Sequence, residues 1–218
     1  MKRLLGRRLA LAICLAGAAV TTMGASRCGG SGTTTVTVTG NTVTIYASAP
    51  RTAAGPLASD VGDAEQLALS QFGSKVAGTT IRFIQLHRKP TDNARTAIQD
   101  KSAIAYLGEL QPGVSAGSMG ITNDQDLLQV SPTDTALELT HTTPVVPGAP
   151  NNYYEARGTY GRTFARVVPS SAAEARAQAS VMRSLHVKKL YVTNDSSPYG
   201  KAIAYAVRQD ALDRKSVV

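Results

Sequence analysis

The chain has 218 residues, a length that holds one domain or two small ones. Hydrophobic residues make up 43% and charged residues 17%, a globular composition that excludes a disordered chain. Two cysteines exclude a disulfide scaffold, three scattered histidines give no zinc cluster, and the lack of Trp argues against a stacking platform for single-stranded nucleic acid.

The formal net charge of +8 would suit a nucleic-acid or membrane surface only if it lay on the folded part. Much of it does not. Residues 1–28 read as a secretory leader, with Lys2, Arg3, Arg7 and Arg8 ahead of an apolar run from Leu9 to Val20. That run is too short for a membrane-spanning helix, which needs about 20 residues. Five basic residues and no acid lie in residues 1–27, so +3 remains for the rest and no nucleic-acid partner is expected. Cys28 follows Ala25-Ser26-Arg27 and precedes a Gly/Ser run, which resembles the lipobox of bacterial lipoproteins. That resemblance implies an acylated Cys28 anchoring the chain to the membrane. Arg27 stands where the pattern has a small residue, and cleavage near Ala25 is the competing outcome. In either case the chain is expected outside the cytoplasm, with at most one cysteine and no internal disulfide.

Residues 29–41 form a Gly/Thr-rich tether in which Thr and Val alternate, a linker or one arm of a hairpin. Thr42–Ala47 predicts a strand, and Pro50–Asp60 a loop. Leu67, Leu69, Phe72 and Val76 recur at helical spacing and predict a helix over Asp63–Val76, stopped by Gly78. Strands follow at Thr80–Leu86, Ala103–Leu107, Leu127–Ser131 and Thr163–Val168. Ala103–Leu107 is nearly all apolar, as in a parallel sheet covered on both faces. Helices are predicted over Asn93–Lys101, near Ser115–Met119, and from Ser171 to about His186, where Ser171 and Glu174 form a capping-box signature. Residues 141–162 are irregular. Lys189–Thr193 predicts another strand, and Pro198 suits the first residue of a last helix. The alternation gives an α/β class with a Rossmann-like parallel sheet and flanking helices.

Ala105-Tyr106-Leu107-Gly108, Gln129-Val130-Ser131-Pro132, Phe164 to Ser170, and Asn194-Asp195-Ser196-Ser197-Pro198-Tyr199-Gly200-Lys201 follow one another in order. Together they resemble the branched-chain amino-acid (Leu/Ile/Val) type of periplasmic binding protein, the type 1 solute-binding fold, over about residues 42–212. The resemblance implies two Rossmann-like lobes, here 42–168 and the start of a second at 169–212, closing on a small solute. It also implies an ABC permease as partner, no cofactor and no catalysis. In that family about half the molecule follows the helix at Tyr199. Residues 213–218 do not continue its apolar pattern and read as a non-native tail. The chain is therefore expected to be an N-terminal fragment that does not bind tightly alone.

Ligands of such sheets sit outside the carboxyl ends of the strands. The resemblance places Thr133 and Thr135 at loop positions that hold a ligand carboxylate. Pro112 stands where the family has a donor, so the Gly113 and Val114 amides would take that task. Ser115 is a further hydroxyl there, with Glu109 close by. Ser171 falls where relatives often have an Asp for an ammonium, and Tyr199 would cover an apolar ligand part. Ser and Thr at such places are also ordinary turn and cap residues. A receptor ectodomain of the same fold is one alternative. Gly113-Val114-Ser115-Ala116-Gly117 matches the G-x-S-x-G nucleophile elbow, so an α/β-hydrolase using Ser115 is the enzyme alternative. That motif requires the Ser directly after a strand, and here Gly108–Pro112 intervenes. A DNA-binding repressor would need its helix-turn-helix where the leader stands.

Overall fold

The computed structural model describes residues 40–50 and 55–212. The leader, Cys28, nearly all of the tether and residues 213–218 lie outside the described residues. In chain order come β1 (Thr42–Ser48), α1 (Pro56–Phe72), β2 (Lys75–Val76), β3 (Thr79–Leu86), α2 (Pro90–Gln99), β4 (Ala103–Leu107) and α3 (Ala116–Asp124). Then follow β5 (Leu128–Ser131), α4 (Arg157–Tyr160), β6 (Phe164–Arg166), α5 (Ser171–Ser184) and α6 (Pro198–Leu212). Single 3-10 turns stand at Leu137–Leu139 and Asn151–Tyr153.

The strands form one sheet in the order β2-β3-β1-β4-β5-β6. Every neighbouring pair is parallel except β2 with β3. The chain winds outward from β1 in one direction to β3, then crosses back and continues through β4, β5 and β6. The order therefore reverses between β1 and β4, and a crevice opens outside the carboxyl ends of those two strands. Ser48 and Gly108 stand at that point.

The core lies where α2 and α3 pack on the sheet. Tyr46, Ala94, Ala97, Ala103, Tyr106 and Leu127 are buried together, with Ile84, Leu86, Ile98 and Ile121 against them. Ala94 and Ala97 share one face of α2, and their small side chains let that helix sit close. Burying a side chain such as Leu127 contributes roughly 2 kcal/mol.

Several elements depart from their predicted bounds. Helix α1 starts at Pro56, whose fixed φ suits a first helical residue. It ends at Phe72 because Gly73 takes φ +87 and returns its amide to the carbonyl of Leu69. Lys75 and Val76 leave the helix and pair with β3 across an Ala77-Gly78 turn with both φ values positive. The predicted capping box does not form. Ser170 takes the N-cap position with no side-chain cap bond, and the Ser171 hydroxyl, 1% exposed, has no partner among the described residues. The predicted strand Lys189–Thr193 is not one: no strand pairs with it among the described residues, and Tyr191 is 91% exposed. Alternation nominates a strand, but only a neighbour's N–H and C=O groups make one. Nor is β4 sealed on both faces, since Ile104 is 39% exposed.

Candidate functional site

The turn after β4 is built around a close approach. Gly108 has φ +146, and a Cβ there would stand 2.8 Å from the Ser48 Cβ of β1. Only glycine fits both demands. Glu109 then turns inward and is fully buried. Its carboxylate accepts hydrogen bonds from the Ser48 hydroxyl at 2.6 Å and the Tyr106 hydroxyl at 2.5 Å, and Asn93 Nδ2 donates to Ser48 Oγ at 2.9 Å. Burial raises the Glu109 pKa, and the bonds from Ser48 and Tyr106 oppose that rise. Sequence reading placed Glu109 near an anion pocket. It is instead a buried pin across β1, α2 and β4.

The loop from Gln111 to Ser115 is fastened by the next strand's loop. Asp134, fully buried after β5, accepts the amides of Gly113 at 2.7 Å, Ser115 at 3.0 Å and Ala136 at 3.1 Å. The Val114 amide donates to the Gln111 carbonyl at 3.1 Å. The amides expected to meet a ligand carboxylate are thus engaged by the chain itself, that of Gly113 by Asp134 and that of Val114 by a backbone carbonyl. Arg166 of β6 clamps the same loop from outside, donating to the carbonyls of Asp134 at 3.1 Å and Ala136 at 2.7 Å and to the Thr140 hydroxyl.

Above this loop lies a cavity of about 460 Å³ whose walls include Gly113, Val114, Glu138, Tyr153, Asp195 and Tyr199. Tyr199 enters on the first turn of α6. That turn is set by Asp195, which accepts the Ser197 amide at 3.0 Å and its hydroxyl at 2.7 Å, while Ser197 Oγ accepts the Gly200 amide at 2.9 Å. A side chain at Gly200 would run into the Asp195 carboxylate. Tyr199 packs with Tyr153 against buried Met119, Ala136, Leu139 and Tyr154.

Gly113, Val114 and Tyr199 therefore meet at one cavity, from two lengths of chain more than eighty residues apart. The other sequence-predicted residues stand outside its walls. Ser115 is fully buried beneath the loop. Thr133 Oγ1 donates to the Leu110 carbonyl at 2.5 Å, and the Thr135 carbonyl accepts the Ser171 amide at 2.7 Å. Glu138 and Tyr153 were missed. Glu138 is only 2% exposed, and its Oε2 has no hydrogen-bond partner among the described residues. Burial raises its pKa, its own amide opposes that, Asp134 adds to the rise, and Arg166 lowers it. Burial and the negative charges of Glu138 and Asp134 push the Tyr153 hydroxyl up to about 12. A Glu between Leu137 and Leu139 was the one signal available in the sequence.

Ser115 does not form a nucleophile elbow. Strand β4 ends eight residues before it, and its Oγ accepts the Glu109 amide at 3.1 Å rather than contacting a histidine. No cluster of three or more His, Cys, Asp or Glu able to hold a metal occurs among the described residues, and no described helix is long and apolar enough to cross a membrane. A larger apolar groove of about 820 Å³ runs between α5 and α6, with Val181, Met182, Leu190, Tyr191 and Val207 on its walls. None of the sequence-predicted residues reaches it.

No protein-family model matches the sequence, and no curated protein does. Solved structures do match. An ABC transporter substrate-binding protein from Desulfitobacterium hafniense is 15% identical with a TM-score of 0.63, over 81% of this chain and 49% of its own. A leucine-binding protein from Thermotoga maritima is 20% identical with a TM-score of 0.60, over 81% and 47%. A solute-binding protein of an ABC transporter from Rhodopseudomonas palustris, in complex with p-hydroxybenzoic acid, is 11% identical with a TM-score of 0.65, over 81% and 45%. The chain spans about half the length of these solved proteins. The likeness shows the fold, that of the type 1 periplasmic binding proteins, which the ordered segments from Ala105 to Lys201 implied.

Proposed function

We propose that this chain is the solute-binding component of an ABC-type importer, acting outside the cytoplasm. It takes a small solute, such as an amino acid, in the cavity where the Gly113-Val114 loop meets Tyr199. The observation that carries this reading is the position of the cavity. The β4–α3 loop that forms one wall rises from the carboxyl end of β4, beside the point where the strand order reverses, which is where open α/β sheets hold ligands. The solutes named for the structurally similar proteins, leucine and p-hydroxybenzoate, are of a size that such a cavity holds.

In this reading residues 42–168 are one lobe and 169–212 begin a second, so that Tyr199 reaches the solute from the second-lobe side. Bound solute favours the closed arrangement only by its greater affinity for it, and a permease then reads that arrangement. Acylated Cys28 would hold the chain at the membrane surface.

A thermal-shift screen of the full chain against amino acids, aromatic acids and small amines tests the reading. At least one solute is expected to raise the midpoint in proportion to the logarithm of its concentration. Tyr199→Ala is expected to cut that rise. A screen in which no solute stabilises the chain, or in which Tyr199→Ala leaves every shift unchanged, contradicts it.

A further inference from the structure

We propose that the solute enters the cavity by a cationic group, an ammonium or amidinium, with Glu138 as its counter-charge. This rests on the solute-binding reading above and names the chemistry of the solute.

The first observation is Glu138 itself. It stands in the cavity wall, 2% exposed, with Oε2 unpartnered among the described residues. A Cβ at Gly113 would lie 3.5 Å from its Oε1, so the carboxyl group points at the loop that lines the site. A carboxylate accepts several hydrogen bonds, and leaving one oxygen buried and bare is costly. A charged N–H donor repays that cost best, because such bonds are about twice as strong as neutral ones.

The second observation is the charge of the walls. They carry two carboxylates, Glu138 and Asp195, and no Lys, Arg or His. The cation nearest Glu138 in effect is Arg166, whose guanidinium is spent on two carbonyls and the Thr140 hydroxyl. The third is the loss of anion donors. The Gly113 and Ser115 amides already hold Asp134. An anionic solute would find acceptors and negative charge where it needs donors. Tyr153 and Tyr199 add the aromatic surface that cations favour.

The test titrates the 15N-labelled full chain with a matched pair, benzylammonium and benzoate, and with leucine. Amide shifts of Gly113, Val114 and Tyr199 report occupancy, even in the millimolar range. Benzylammonium is expected to saturate these shifts at a concentration at least tenfold below benzoate. Glu138→Gln keeps the volume, removes the charge, and is expected to weaken benzylammonium at least tenfold while the rest of the spectrum stays in place. Should that variant lose its dispersed spectrum, Glu138→Asp keeps the charge and draws it back, and is expected to weaken benzylammonium by a smaller factor. Benzylammonium affinity should also rise with pH as Glu138 gives up its proton, against a background of Asp134, Arg166, Tyr153 and Asp195. Benzoate binding as tightly as benzylammonium, or a folded variant at Glu138 binding like the wild type, overturns the cationic assignment. Benzoate binding alone, or leucine binding that Glu138→Gln leaves unchanged, overturns that assignment and leaves solute binding standing. Silence of all three overturns both.

Discussion

Asp134 holds the Ser115 amide at 3.0 Å, so a carboxylate from the loop after β5 fills the turn after β4. The same group takes the amides of Gly113 and Ala136. One side chain therefore fixes two loops on the carboxyl edge of the sheet and sets the wall of the cavity above them.

Removing that acceptor strands three amides. Hydrogen bonds to a charged group contribute roughly 1.5–3 kcal/mol each, and their losses do not simply add. Asp134→Ala is expected to lower stability by about 3 kcal/mol in urea unfolding, with Asp134→Asn losing less. A loss under about 0.5 kcal/mol would show that the loops are held some other way.

Gly108 tests the close approach at the crevice. A Cβ there meets the Ser48 Cβ at 2.8 Å, on a backbone with φ +146. Gly108→Ala is expected to cost at least about 2 kcal/mol, from overpacking plus backbone strain. A variant as stable as the parent would mean that β1 and β4 part without penalty.

Ser171 separates two accounts of the start of α5. A hydroxyl that capped the helix would cost about 1 kcal/mol on change to Ala. The structure leaves that hydroxyl buried and unpartnered. Ser171→Ala is therefore expected to be neutral or stabilising by up to about 1 kcal/mol. Clear destabilisation in thermal or urea unfolding would restore the capping box.

Glu65 on α1 gives a pH dependence with a definite sign. Burial raises its pKa from 4.5 to about 7. The folded state then binds a proton more tightly than the unfolded state. The stability from this group is complete below 4.5 and is lost as pH rises through about 7. Glu65→Gln is expected to flatten that fall when urea stability is measured from pH 4.5 to 7.5. An unchanged slope would place the source elsewhere.

The sheet was legible in the sequence because its signals are local. Alternation marks β1 and β3, and the apolar run Ala103–Leu107 marks β4. Helix ends were less so. The apolar spacing began late in α1, while Pro56 set the start and Gly73 the end. Lys189–Thr193 carries a strand pattern but finds no partner among the described residues. In the site, the sequence led to Gly113, Val114 and Tyr199 through the ordered family segments. The amides of Gly113 and Val114, however, were expected to be free. That Asp134 takes the Gly113 amide, while the Val114 amide goes to the Gln111 carbonyl, depends on two loops meeting across β4 and β5, which no local pattern reports. Glu138 was hidden for the same reason: its burial depends on the loop that Arg166 clamps and on the cavity wall contributed by α6.

The most direct test of the solute cavity is the map of amide shifts when benzylammonium is added to the 15N-labelled full chain. The account expects Gly113, Val114, Glu138, Tyr153 and Tyr199 to move together along one saturating curve, with Val181 and Val207 in the α5–α6 groove unmoved. Shifts confined to that groove, or none at the cavity for benzylammonium, benzoate or leucine, would contradict it.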